Sequence, residues 1–417
     1  MNIESLHQVY SQNYLVDTDT RKIREKSVFF ALKGENFNGN HYAVEALNKG
    51  ASYAVVDEYV ADDPRLILVE DVLETLQELA SFHRKKLSIP IIALTGSNGK
   101  TTTKELINAV LLKKYNTNAT KGNLNNHIGV PLTLLSMDKN TEIGIVEMGA
   151  NHHEEIAFLS AIVNPDYGYI TNFGKAHLEG FGSIEGVIEA KSELYTHLIN
   201  TGKTIFVNQN DPIQMDKTSN ANRILLDSTV SIKEVNPLVR LNYGLVDVNS
   251  NLIGEYNFPN ILVAISMGIH FGVNKKDIIN AIQDYVPKNN RSQVINVSTN
   301  KIILDAYNAN PTSMEAAIIN FNGIEALNKT LILGDMFELG NDSAKEHQNI
   351  VSLLERCNFK DVFLIGENFN KTKTNYYKFG DFKTFSKYFE NQALDNCHIL
   401  IKGSRGMRLE RILDFIN

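Results

Sequence analysis

Short apolar runs alternate with stretches of helical spacing from one end of the chain to the other. SVFFAL at 27–32 and Ala54-Val55-Val56 read as strands. Helical spacing lies between them at 41–49, with Gly50 placed as a C-cap. A longer helical period follows at 72–86. Apolar runs at 89–94, 143–146, 167–171 and 204–207 then predict strands, and spacing at 106–111, 184–198, 258–271 and 277–285 predicts helices. The rhythm restarts near Arg291. Strands are expected at 294–297, 302–304, 331–333, 362–365 and 399–401, with a helix from Ser313. Two stretches rich in Gly and polar residues, 120–131 (TKGNLNNHIGVP) and 173–183 (FGKAHLEGFGS), read as loops. Strand followed by crossover helix, repeated, describes parallel sheets. The expectation is an α/β chain of three domains. These are a small α/β unit over 1–84, a parallel-sheet unit over 85–293 and a second doubly wound, Rossmann-like unit over 294–417.

Composition narrows the class without fixing the function. The chain's 417 residues exceed one ordinary core, in keeping with several domains. With 43% hydrophobic and 21% charged residues it reads as globular and soluble. A net charge of -7 counts against a nucleic-acid partner. Two cysteines, Cys357 and Cys397, make no disulfide framework and suit a cytoplasmic setting. The amino end lacks the pattern of a signal peptide. No apolar run approaches the ~18 residues of a membrane span. Neither an internal repeat nor a low-complexity tract is visible.

The strongest chemistry lies at 95–103, TGSNGKTTT, between a predicted strand and a predicted helix. That order aims backbone N–H groups and a helix N-terminus at one point, which suits a phosphate chain. Gly96 and Gly99 admit close backbone approach around Ser97 and Asn98. Lys100 reaches towards β- and γ-phosphates, Thr101 offers a hydroxyl to Mg²⁺, and Thr102 continues the helix start. The usual first glycine of this motif is replaced by Leu94. An ATP site is therefore expected.

Other candidates are weaker alone. Glu147 ends an apolar strand near the phosphate loop, where a Mg²⁺ ligand belongs. Asn123, Asn125 and Asn126 share a loop that suits a polar substrate as well as it suits a plain turn. His177 follows a strand of the same sheet. On pattern alone Lys191 reads as an exposed helix lysine, and Arg21 and Lys33 as solvated surface. Asp305 ends a strand of the third unit and is expected to face the ATP unit across a cleft.

Taken together and in order, these stretches resemble the Mur ligase family, ATP-dependent amide-bond ligases of peptidoglycan precursor synthesis. The likeness runs through SVFFALKGENFNGNHY, TGSNGKTTT, TKGNLNNHIGVP, EMGANHHEEI, TNFGKAHLEGFGS and EAKSEL. It continues through DAYNANPTSM, LGDMFELG and KGSR, so nearly the whole chain is covered. Within the family the likeness is nearest to the activity that joins D-alanyl-D-alanine to UDP-N-acetylmuramoyl-tripeptide. The resemblance implies that Lys100 is the phosphate-loop lysine and Glu147 a Mg²⁺ ligand. It places His177 in the metal region and Asn257 and Asn260 on the ATP-binding helix. Arg291 becomes the junction arginine and Asp305 the carboxyl-domain aspartate. It further implies a carbamate on Lys191, which with Thr101, Glu147 and His177 would hold two Mg²⁺ ions. The amino unit, with Arg21 and Lys33, would take the UDP end, and Asn123, Asn125 and Asn126 the peptide arm. Asn308, Asn310 and Ser313 would bind the dipeptide. A cytoplasmic monomer with no membrane or nucleic-acid partner is implied.

The chain departs from the family pattern at Tyr256, where His is usual, and at Asn38 and Asn210, where Asp is common. The sister ligase adding the third amino acid is a rival, but its D-Y-A-H-x-P stretch is replaced here by DAYNANP and its D-N-P-R motif is missing. Folylpolyglutamate synthetase lacks this kind of amino domain. An inactive muropeptide-binding protein would have no need of Lys100, Glu147, His177 and Lys191 together. A P-loop kinase or transport ATPase leaves the carboxyl-terminal motifs without explanation.

Overall fold

The computed structural model describes residues 1–390, 392 and 394–416. Three parallel or mostly parallel sheets follow one another along the chain. The first has four parallel strands, Val16–Asp17, Val28–Phe30, Tyr53–Val56 and Leu66–Leu68, in that spatial order. The expected strands at 27–32 and 54–56 are two of these. Gly50 takes φ 111° just beyond the helix Ala43–Asn48, the left-handed stop expected of it.

The second sheet has six parallel strands. Its spatial order is Asn222–Leu225, Thr204–Val207, Tyr167–Ile170, Ile91–Thr95, Ile143–Glu147 and Thr117–Ala119. The strand Ile91–Thr95 is central and buried throughout, as its unbroken apolar run requires when both faces are covered. The third sheet orders as Gln293–Val297, Asn300–Asp305, His398–Lys402, Lys329–Gly334, Asp361–Ile365 and Tyr377–Phe379. Only its first strand runs antiparallel.

Several local expectations are corrected. The loop expected at 120–131 gives way to the helix Gly129–Leu134. Asn126 Oδ1 starts it by accepting the N–H groups of Ile128 and Gly129, and Pro131 sits in the first turn, where its missing N–H is harmless. The loop expected at 173–183 contains one helical turn, Leu178–Phe181, closed by Phe181 N–H to His177 O. The central unit is not purely parallel either. Val230–Glu234, Leu238–Tyr243 and Val246–Ile253 form an antiparallel sheet whose alternate residues Val239, Leu241 and Val248 are fully buried. Its period of two was present in the sequence but lay between stronger helix and strand signals.

Candidate active site

The phosphate-loop turn is held before any ligand arrives. Gly96 has φ 138° and Gly99 φ 80°. A Cβ on Gly96 would lie 2.0 Å from Thr171 Oγ1, so glycine supplies both backbone hand and space there. Asn172, just past the neighbouring strand, accepts Ser97 N–H on its carbonyl at 3.0 Å and Asn98 N–H on its Oδ1 at 3.1 Å. Thr171 Oγ1 donates to Asn98 O at 2.6 Å. These bonds leave the first-turn N–H groups of the helix Lys100–Leu111 for an anion. Lys100 Nζ folds back and donates to Gly96 O at 2.6 Å. Loss of hydration lowers its ammonium pKa, with the Glu147 carboxylate opposing the shift.

Glu147 closes the strand Ile143–Glu147 and is 1% exposed. Its Oε1 accepts Asn125 Nδ2 at 2.8 Å and Thr101 Oγ1 at 3.4 Å. Its Oε2 has no hydrogen-bond partner, and the buried Lys104 Nζ stands 3.6 Å away. A buried carboxylate oxygen left unfilled is costly unless a cation completes it. Among the described residues, no three His, Cys, Asp or Glu side chains converge as a metal cluster. A hydroxyl, one carboxylate, one imidazole and a nucleotide's own oxygens are the donor set at hand, which suits the hard, water-rich coordination of Mg²⁺.

Lys191 overturns its pattern-based reading as an exposed lysine, for it is 1% exposed. Its helix Ile184–Asn200 buries Val187, Leu194 and Leu198, and position 191 lies on that same stripe at i+4 and i−3. Nζ donates to Ala150 O at 3.0 Å and sits 4.8 Å over the Phe181 ring. Burial, and secondly the Lys100 charge, push its pKa well below the ordinary lysine value.

Asn257 and Asn260 are both buried at the start of the helix Phe258–His270. Asn260 donates to Asn257 Oδ1 at 2.9 Å and accepts Thr103 Oγ1 at 3.0 Å. Tyr256, standing where the family has His, bonds Ser292 Oγ at 3.0 Å. The Arg291 guanidinium lies 3.7 Å from the Tyr307 ring centroid, a cation–π stack. Asp305 accepts Ser292 N–H at 3.0 Å and an ion-paired hydrogen bond from Lys402, its register partner on the adjacent strand. Asn310 caps the helix Pro311–Gly323 in a reciprocal box with Ser313. Its Nδ2 reaches across to Asn98 Oδ1 at 2.8 Å.

One cavity of 870 Å³ gathers these groups. The phosphate loop, Glu147 and His177 line it from the central unit, Asp305 and Asn310 from the carboxyl-terminal unit, and Arg291 from the junction between them. Asn123, Asn125, Asn126, Asn257, Asn260, Asn308 and Ser313 also face it. Lys191 reaches it only through Ala150. Arg21 and Lys33 are not among its lining residues. Arg21 pairs with Asp19 at 2.7 Å, and Lys33 with Asp57 at 2.8 Å and Glu58 at 2.9 Å. Lys402, Tyr307 and Lys104 were missed by the sequence reading. A lysine ending the apolar run 399–401 was the available signal for Lys402.

Comparison with known proteins gives a consistent picture. Family models match in three segments: "Mur ligase family, catalytic domain" at 13–84, "Mur ligase middle domain" at 94–268, and "Mur ligase, glutamate ligase domain" at 290–405. A Bacillus subtilis (strain 168) protein named UDP-N-acetylmuramoyl-tripeptide–D-alanyl-D-alanine ligase is 34% identical, covering 95% of this chain and 92% of its own length. A Haemophilus influenzae protein of the same name is 33% identical, again over 95% of this chain and 92% of its own. The crystal structure of MurF from Acinetobacter baumannii superposes with TM-score 0.86 at 28% identity, over 99% of this chain and 98% of that one. MurF from Thermotoga maritima in complex with ADP gives 0.84 at 26% identity over 96% of each.

Proposed function

The chain belongs to the Mur ligase family, and from that premise we propose that it joins D-alanyl-D-alanine to UDP-N-acetylmuramoyl-tripeptide using ATP. Full-length relatives carrying that name support the activity. The observation that carries the reading is the shared cavity, in which a nucleotide-binding turn on one unit faces Asp305 and Asn310 on another. The working division into 1–84, 85–293 and 294–417 assigns the UDP end, ATP and the dipeptide to successive units.

The peptide's terminal carboxylate attacks the γ-phosphate, giving an acyl phosphate and ADP. The dipeptide amine then attacks the acyl carbon, and phosphate leaves as the amide forms. Two anions must meet in the first step, so charge neutralisation dominates. Lys100, released from Gly96 O, supplies one positive charge to the phosphates. Thr101, Glu147 and His177 would hold Mg²⁺, with a second held by carbamylated Lys191; these ions would neutralise developing phosphate charge. Lys191 fits that modification, since burial disfavours its ammonium form and the neutral amine is the form that adds CO₂ and then loses a proton. Asn125 keeps the Glu147 carboxylate aimed. Arg291 and Tyr307 form a flat surface beside the nucleotide. Apposition of the two units excludes water, which would hydrolyse the acyl phosphate.

Phosphate release tests the proposal. It should require UDP-N-acetylmuramoyl-tripeptide and D-alanyl-D-alanine together and stay low with ATP alone. Release driven by UDP-N-acetylmuramoyl-dipeptide and a free diamino acid would instead identify the sister activity.

A further inference from the structure

The loop carrying His177 binds the carboxyl-terminal unit at several independent points. Lys175 Nζ pairs with Glu346 Oε1 at 2.8 Å, and the Glu346 side chain is only 7% exposed. Lys175 N–H donates to Thr312 Oγ1 at 2.9 Å. His177 Nδ1 lies 2.6 Å from Glu338 Oε2, an ion-pair distance without the alignment of a directed hydrogen bond. Glu179 N–H donates to Glu338 O at 3.2 Å. His177 and Glu338 share a further oddity: φ is 52° at the first and 62° at the second. Left-handed backbone is uncommon for non-glycine residues, less so for His than for Glu, and at Glu338 such strain persists only where surrounding contacts impose it. Here the two left-handed residues meet each other across the boundary between units.

We propose that Lys175, Glu338 and Glu346 are positioning residues that form a latch, setting His177 in the site only when the carboxyl-terminal unit is docked. The inference rests on the ligase reading for its kinetic consequence but not for its structural one. Glu346 acts as the anchor, because its carboxylate is nearly enclosed and also accepts Asn349 Nδ2 at 3.3 Å. Lys175 supplies the mobile partner, since its side chain stays 46% exposed. Docking brings Glu338 against the imidazole and so restricts the ring to one orientation in the cavity it shares with Glu147 and Thr101. Undocking removes Glu338 and frees it. A site assembled this way cannot commit ATP before the units meet.

Lys175→Glu, Glu346→Lys and the double exchange test the latch on the full chain, with Glu338→Gln as a fourth variant. Small-angle scattering with a non-hydrolysable ATP analogue reads docking, and steady-state kinetics read its effect. Each single charge reversal should give a larger radius of gyration than wild type and lower kcat by roughly tenfold or more. KM for ATP should stay within about twofold, since the nucleotide contacts are untouched. The double exchange should recover compactness and most of kcat. Lys175 is exposed enough for its variant to fold, so a misfolded Glu346→Lys protein would not remove the test. Glu338→Gln should lower kcat while leaving the radius near wild type. Wild-type compactness and kcat in Lys175→Glu would overturn the proposal, as would a double exchange no better than its parents. If the wild type compacts with nucleotide yet ligates no dipeptide, the ligase reading fails and the latch stands on scattering alone.

Discussion

Two joints connect the three units, and they are built from opposite materials. At the first, the helix Val72–Lys86 lies against the central unit with Leu76 and Leu79 fully buried. Tyr10 Oη donates to Leu135 O at 2.8 Å, and His83 Nε2 meets Met137 O at 2.9 Å. Arg84 spends its guanidinium on Val163 O, Asn164 O and Asp166, the last at 2.7 Å. At the second joint, the pairs Lys175–Glu346, His177–Glu338 and Asn98–Asn310 cross between the units, and His177, Asn98 and Asn310 line the 870 Å³ cavity. The first joint resembles a domain core and should resist opening. The second is held largely by polar pairs that water can replace on opening, which is what a joint that must open for three substrates requires.

The contrast breaks most sharply if activity and stability do not separate between the joints. Lys100→Ala, at the second, should lower kcat by about a thousandfold or more while moving Tm by no more than about 2 °C. Arg84→Ala, at the first, should do the reverse. It leaves Asp166 to Lys203 and the Ile91 N–H and removes several buried bonds, so denaturant unfolding should show a loss of roughly 2–4 kcal/mol with kcat nearly unchanged.

A pH effect sharpens the comparison further. Burial lowers the His83 pKa from 6.5 to about 4, opposed by its bond to Met137 and aided by His7. The unfolded chain therefore binds more protons between these values, and stability falls as pH drops from about 6.5 towards 4. The loss should be on the order of 2 to 3 kcal/mol. His83→Gln should flatten that slope in unfolding measured across pH 4–7. An equally steep slope in the variant would place the titrating group elsewhere. The smallest effect is expected at Tyr256→Phe. Losing one half-buried hydroxyl bond to Ser292 should change KM for ATP by a few-fold at most, near 1 kcal/mol.

What the sequence made legible follows the same division. The strand Ile91–Thr95, its glycine turn and Glu147 at the next strand end are local patterns, and all were readable from spacing. Lys191 was misjudged although its period placed it with Val187 and Leu194, because lysine type outweighed position. Lys402 and Asp305, 97 positions apart, become partners only once their strands are neighbours in register. The meeting of His177 with Glu338 needs two sharp backbone turns in different units, and neither turn uses the glycine that would have announced it. Arg21 and Lys33 were assigned to substrate by likeness; their carboxylate neighbours Asp19, Asp57 and Glu58 arise from local folding that the likeness does not address.

The contact between Asn310 and Asn98 has a thermodynamic corollary. Asn98 belongs to the turn that cradles phosphate, and Asn310 caps the helix beside which the dipeptide would rest. Any preference one ligand has for the state with that bond formed must be returned to the other by the same factor. If both favour that state, ATP and D-alanyl-D-alanine bind cooperatively, whichever arrives first.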